Sequence, residues 1–197
     1  MSANSLIIPA AIAFSYLLGS VPTGLWLGLK LRSIDIREPG SRNIGATNTL
    51  RVLGKRLGIF TLAMDVLKGW LPVAAALWLN AWDYLPILCG FAAILGHTFS
   101  VFLWFRGGKG VATSTGVFLG LAPFPTLIAA LVFGVVVAAT RMVSAGSIAA
   151  AAVLSVAVFF YPTPGPVRMV AVVVAALVIL KHRANIRRIM KGEENRI

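Results

Sequence analysis

The sequence predicts an all-α, polytopic integral membrane protein of about seven transmembrane helices, two of them short, with its N-terminus outside and its C-terminus cytoplasmic. Three observations lead there. The mean hydropathy is +0.88, and 58% of the 197 residues are hydrophobic while only 12% are charged, about half the charged share of a soluble domain. Apolar runs long enough for a bilayer recur along the whole chain. The net charge is nevertheless +12, from 18 Lys and Arg against 6 Asp and Glu. In a soluble protein such a surplus would suggest a nucleic-acid partner. Here too little polar surface exists to cover a globule, and the charge is better placed against an anionic leaflet; no nucleic acid is expected.

A first span runs from about Ser5 to Leu29. No Lys or Arg precedes Lys30, so the basic start of a signal peptide is missing and the helix is read as retained. Pro22 is expected to kink it. A polar stretch from about Lys30 to Leu57 follows, then spans from about Gly58 to Asn80 and from about Leu85 to Phe105. Val111 to Ala139 is long for one helix, and Ala122-Pro-Phe-Pro125 divides it into a short and a full helix. The last spans run from about Ser144 to Phe160 and from about Val167 to Leu180, joined by Tyr161-Pro-Thr-Pro-Gly-Pro166. Placing basic loops inside tests this order. With the N-terminus outside, the loops 30–57, 106–110 and 140–143 and the tail from Lys181 hold every Lys and Arg except Lys68 and Arg168. No internal repeat is visible, and residues 1–197 read as a single domain.

The single cysteine, Cys89, excludes an intrachain disulfide and reads as a small buried hydrophobe. No cluster of ligands suits a metal, so no cofactor or metal is expected. Asp65 and Lys68 lie three apart inside a span, where charges pair or serve function. A mutual ion pair facing the interior is the simplest account, and His97 reads as a packed, hydrogen-bonded histidine.

The chemistry lies in four segments on the basic side. Gly40-Ser-Arg-Asn-Ile-Gly-Ala-Thr-Asn48, with Arg51, combines glycine turns, neutral donors and fixed positive charge; it suits a phosphate cradle or a plain polar loop equally. Gly107-Gly-Lys-Gly110 precedes a helix, where backbone N–H groups and the helix dipole attract anions. It is not a Walker A loop, because position 103 is Leu and Gly110 follows Lys109. Ser144-Ala-Gly-Ser147 opens a span, and bonding of its serines to the helix backbone is favoured over ligand contact. His182 and Asn185, three apart, share a face if the last helix continues. This inventory binds anions and carries few proton-transfer groups, so it points to a phosphorylated ligand arriving from the cytoplasm.

Together the motifs resemble those of the bacterial glycerol-3-phosphate acyltransferases that use acyl phosphate. The likeness rests on Gly40–Asn48 with Arg51, Phe105-Arg-Gly-Gly-Lys-Gly-Val-Ala-Thr113, and His182-Arg-Ala-Asn-Ile186 with Gly192-Glu193. Met64-Asp-Val-Leu-Lys-Gly69 and Leu95-Gly-His97 are also similar, and the likeness extends over the whole chain. The H-x-x-x-x-D motif of other glycerolipid acyltransferases is absent, since Phe102 and Arg187 stand where the Asp would be.

The resemblance implies acyl transfer from acyl phosphate to the 1-hydroxyl of glycerol-3-phosphate, giving lysophosphatidic acid and phosphate in phospholipid synthesis. It implies a monomer in the inner membrane, with the site on the cytoplasmic side. Ser41, Arg51 and Lys109 are then expected to hold the glycerol-3-phosphate phosphate, with Ser147, His182 and Asn185 completing the pocket. Gly107, Gly108, Lys109 and Gly110 would take the acyl phosphate head group, and Asn43, Thr47 and Asn48 would shape the first loop or touch ligand. His182, Lys109 and Asn185 are the expected catalytic residues; the base is His182 or a substrate phosphate oxygen. Two other readings compete. A transporter for a phosphorylated solute would show repeats and a midplane site, and a lipid-binding scaffold would not need Ser41, Asn43, His182 and Asn185.

Overall fold

The structure is a computed structural model and describes residues 4–197. Among these residues there are ten α-helices and no strand. Two compact units emerge, divided at Val117/Phe118.

The first unit holds α1 (Asn4–Ser20), α2 (Thr23–Arg32), α3 (Ala46–Leu53), α4 (Lys55–Leu79), α5 (Leu85–Thr98) and the start of α6 (Val111–Leu121). The first apolar run bends by 46° where α1 gives way to α2, at the Val21-Pro22 step that the sequence marks for a kink. Helices α1 and α5 meet through glycines. A Cβ on Gly19 would collide with the Ala93 carbonyl oxygen, and one on Gly96 with that of Tyr16. In lipid no hydrophobic force drives apolar helices together, so small residues that permit backbone contact do this work.

Helix α4 runs 25 residues and is built inside-out. Its buried stripe is Gly58, Thr61, Asp65, Lys68, Gly69, Pro72, Val73 and Ala76, at the three-and-four spacing of one helical face. Ile59, Phe60, Leu62, Trp70, Leu71, Leu77 and Trp78 are exposed on it. Apolar residues outside and small or polar ones inside suit a lipid surround. The expected ion pair is present: Lys68 Nζ lies 2.7 Å from Asp65 Oδ1, and both side chains are buried.

Two differences from the expected layout concern the site. The stretch 30–57 is not all loop, because α3 forms within it and packs on α4 where a Cβ on Gly58 would strike Leu50. Helix α5 ends at Thr98, not near Phe105. A short 3₁₀ turn (Val101–Leu103) follows, and then Trp104 and Phe105 take left-handed backbone angles, φ 50° and 61°.

The second unit holds the end of α6, α7 (Pro123–Thr140), α8 (Val143–Ala157), α9 (Gly165–Lys181) and α10 (Arg183–Met190). The break between α6 and α7 falls at Ala122, as the paired prolines imply. Helices α7 and α8 approach closely at Gly146, where a Cβ would touch Phe133 and Val137. Leu127, Leu131 and Val135 of α7 point outward. The helix does not continue through His182, because α9 and α10 meet there at 57°.

By length and composition, α4, α7 and the segment Leu85–Leu103 can each cross a membrane, and the bent pairs α1/α2 and α9/α10 bring the number to five. Helices α6 and α8 are shorter apolar helices.

Candidate active site

The first loop owes its shape to one buried side chain. Asn48, in the first turn of α3, donates from Nδ2 to the Ile36 carbonyl at 2.6 Å and accepts the Ser41 N–H on Oδ1 at 2.8 Å. It is 1% exposed. Gly40, at φ +64°, lies so close that a Cβ there would collide with Asn48 Oδ1. Only glycine meets both demands, a left-handed angle and no side chain. Asn43 Oδ1 accepts the Gly45 N–H at 2.9 Å, an Asx turn that leads into α3. Ser41, Asn43, Thr47 and Arg51 are half-buried around this frame, while Arg42 is exposed at φ 57°. At the loop's outer edge Arg37 Nε donates to both Asp35 oxygens, at 2.9 and 3.1 Å. That guanidinium holds the Asp35 carboxyl below the usual carboxylate range against a smaller opposing effect of burial. The motif's polar residues are thus divided: Asn43 and Asn48 build the loop, and Ser41 is held in place by its backbone.

The second loop lies on the end of α5. The Gly107 N–H donates to the Thr98 carbonyl at 3.2 Å, and the Gly108 N–H to the His97 carbonyl at 3.0 Å. These amides are engaged within the protein. An anion would meet Lys109 and the N–H groups at the start of α6, which have no partner within the helix by geometry. Gly110, at φ +82°, turns the chain into α6, and its carbonyl accepts the Ser114 N–H at 2.8 Å. Lys109 is half-buried beside this turn.

In the second unit the organising group is a carboxylate. Helix α10 ends in a Schellman turn: the Gly192 N–H bonds the Ile189 carbonyl at 3.0 Å, and the Glu193 N–H bonds the Arg188 carbonyl at 2.8 Å. Gly192 takes φ +73° there, which glycine does without steric cost. The turn folds Glu194 back onto α8 and α10. Its Oε1 accepts from Ser144 Oγ at 2.8 Å and Asn185 Nδ2 at 2.7 Å, and its Oε2 accepts from Arg188 Nε at 2.7 Å. Burial pushes the Glu194 carboxyl up, but the hydrogen bonds from Asn185, Ser144 and Arg188 together outweigh it, so it sits below the ordinary glutamate value. Glu193 is exposed. Ser147 Oγ bonds back to the Val143 carbonyl at 2.8 Å.

His182 occupies the α9/α10 break and is 2% exposed. Its Nδ1 lies 2.8 Å from the Val178 carbonyl oxygen. A carbonyl only accepts, so Nδ1 carries the proton and, in the neutral ring, Nε2 has the lone pair. Glu194 and Arg188, which hold Ser144 and Asn185 together, are not among the residues the motifs single out as candidates. The available signal was an acidic pair, Glu193-Glu194, in an otherwise basic tail.

Comparison with known proteins gives one answer throughout. The Glycerol-3-phosphate acyltransferase family model matches residues 9–192. Glycerol-3-phosphate acyltransferases of Geobacter metallireducens and Trichlorobacter lovleyi are 55% and 52% identical, each over 94% of this chain and 95% of the relative. Among solved structures, the glycerol 3-phosphate form of PlsY, an integral membrane glycerol 3-phosphate acyltransferase, superposes with a TM-score of 0.92 at 38% identity, over 97% of this chain and 96% of that one. Its lysophosphatidic acid form gives 0.89. With apolar segments throughout, a polar-lined α4 and this match from end to end, the chain belongs to the glycerol-3-phosphate acyltransferase family of integral membrane proteins.

Proposed function

We propose that the protein transfers the acyl group of an acyl phosphate to the 1-hydroxyl of glycerol-3-phosphate, forming lysophosphatidic acid and inorganic phosphate as a step of bacterial phospholipid synthesis. The observation that carries this is the glycine loop 107–110, shaped on the end of α5 and delivering Lys109 to the start of α6. The PlsY structures, in glycerol 3-phosphate and lysophosphatidic acid forms, support the acceptor and the product.

The chemistry follows from the donor. An acyl phosphate is a mixed anhydride, already activated, and its leaving phosphate is stabilised by a cation and by preorganised N–H donors. The substrate hydroxyl attacks the acyl carbon, the C–O bond to phosphate breaks, and the hydroxyl proton leaves to a base. Both substrates are anionic, so bringing them together in the right orientation is the main task. Ser41, Arg51 and Lys109 bind the acceptor's phosphate. Ser147, His182 and Asn185 serve the same substrate class, with Asn185 held by Glu194. Asn43 and Asn48 keep the first loop in shape, with Thr47 beside them. The proton goes to His182 Nε2 or to a phosphate oxygen of bound substrate; a pH–rate profile of His182→Asn separates the two, since only in the first case does the variant lose the acid limb on which the imidazole becomes protonated.

Residues 1–197 act as one acyltransferase domain, a reading supported by a family match that extends into both units. The enzyme works as a monomer without cofactor or metal, in the bacterial inner membrane. Seven spans put the N-terminus outside and the basic loops and tail in the cytoplasm, where both head groups arrive. A reporter fused after Ile197 is expected to read cytoplasmic. Purified protein given acyl phosphate and glycerol-3-phosphate together is expected to release phosphate. Release no greater than that of Lys109→Ala overturns the reading.

A further inference from the structure

We propose that Asp65, Lys68 and His97 are positioning residues, a buried network that sets the shape of the 107–110 loop through the His97 ring without touching substrate. The proposal rests on reading that loop as the acyl phosphate site.

The network starts from a costly choice. Asp65 and Lys68 are 3% and 4% exposed within a long apolar helix. An ion pair in such a place is a poor source of stability, and two apolar residues would pack there as well or better. What the pair adds is direction. Lys68 Nζ contacts Asp65 Oδ1 and donates to the Val21 carbonyl at 2.8 Å, an acceptor at the break between α1 and α2. With Lys68 so fixed, Asp65 Oδ1 lies 3.8 Å from Nδ1 of the buried His97. That distance is an electrostatic contact, not a hydrogen bond. It turns the polar edge of the ring toward α4.

The opposite edge of the ring meets the loop. A Cβ on Gly108 would collide with His97 Nε2, and one on Gly107 would collide with the His97 carbonyl oxygen. His97 also accepts the Gly108 N–H on its carbonyl. Backbone and side chain of one residue therefore form the floor on which both glycines lie. Helix α4 reaches the far end of the loop as well. Gly69, next to Lys68, permits contact with the first turn of α6, since a Cβ there would collide with the Thr113 carbonyl oxygen. The same short stretch of α4 thus fixes the entrance and the exit of the loop that carries Lys109. A loop displaced by about 1 Å is expected to cost on the order of 100-fold in rate.

The test uses the full chain in lipid nanodiscs, with Asp65→Asn, His97→Ala and His97→Asn beside the parent. Hydrogen exchange is read on the peptide covering 104–113 and on peptides from α7 and α8. Exchange in 104–113 is expected to quicken about 10-fold or more while the other peptides keep their rates. In phosphate-release kinetics, KM for acyl phosphate is expected to rise about 10-fold or more and KM for glycerol-3-phosphate to rise less, because of the acceptor's three ligands only Lys109 moves with the loop. Gly108→Ala alone is expected to lose most activity, and adding His97→Ala to recover part of that loss, because the clash is with the ring. Unchanged exchange in 104–113, quickening spread evenly over the chain, or an unchanged KM for acyl phosphate overturns the proposal. If the parent releases no phosphate, the acyltransferase reading falls, while the exchange data still decide whether the network sets the loop. His97→Asn keeps the test valid should His97→Ala fail to accumulate.

Discussion

Replacing Glu194 by Ala removes one carboxylate and three hydrogen bonds at once. Two of the donors, Ser144 Oγ and Asn185 Nδ2, belong to residues only 6% and 5% exposed. A buried donor stripped of its acceptor costs about 1–3 kcal/mol. The third donor, Arg188, has a side chain 35% exposed, so water takes over and its share is only about 0–1 kcal/mol. The total is about 2–7 kcal/mol, which for a chain of this size corresponds to a fall in melting midpoint on the order of 10 °C. The control is one residue away. Glu193 is exposed and its carboxylate makes none of these bonds, so Glu193→Ala is expected to stay within about 0.5 kcal/mol of the parent. Glu194→Gln keeps one acceptor oxygen but turns an amide toward the other donors, and is expected to fall between. Thermal unfolding of all three in one detergent, with phosphate release measured below each midpoint, provides the reading. Activity of Glu194→Ala is expected to drop even where the protein stays folded, because Asn185 loses the group that orients it. A Glu194→Ala midpoint within about 2 °C of Glu193→Ala would refute the reasoning.

The same carboxylate makes stability depend on pH. Its value is depressed in the folded state, so its contribution is present above the ordinary glutamate value of about 4.3 and is lost as pH falls through the lower folded value; Glu194→Gln should remove that component from the acid limb of the melting curve. Asn48→Ala leaves the Ile36 carbonyl and the Ser41 N–H without their side-chain partner, and is expected to cost about 2–4 kcal/mol and to raise KM for glycerol-3-phosphate. Asn48→Asp, which keeps the acceptor for Ser41 and loses the donor to Ile36, should rank between the two in the same assays. Lys68→Met strands Asp65 and is expected to cost about 3–5 kcal/mol, with most of that recovered in Lys68→Met/Asp65→Leu; a single variant as stable as the double would contradict the buried pair.

The breaks and apolar segments were legible because each follows from a local cause. A bilayer demands runs of a given length, and Pro22 and Pro123 stand where α2 and α7 begin, whereas Pro72 is accommodated inside α4. Helix α3 was not legible. It is eight residues long and carries Thr47, Asn48 and Thr49 in its first turns, and it forms because Asn48 finds Ile36 and because Gly58 lets α4 approach Leu50. The early end of α5 and the bend at His182 were hidden for a similar reason, since no proline or glycine announces them in the sequence.

Residue types and their spacing settled the membrane class and marked out the basic and glycine-rich segments. Hydropathy, charge and glycine content are properties of short segments, and they act before the chain folds. Which groups meet was decided only in three dimensions. Nothing local distinguishes Glu194 from Glu193; the left-handed turn at Gly192 directs one onto Ser144, fifty positions away, and leaves the other in solvent. Nothing local makes His97 the floor of a loop ten residues on. Those assignments come from buried polar groups, each of which must find a partner wherever the packed helices present one.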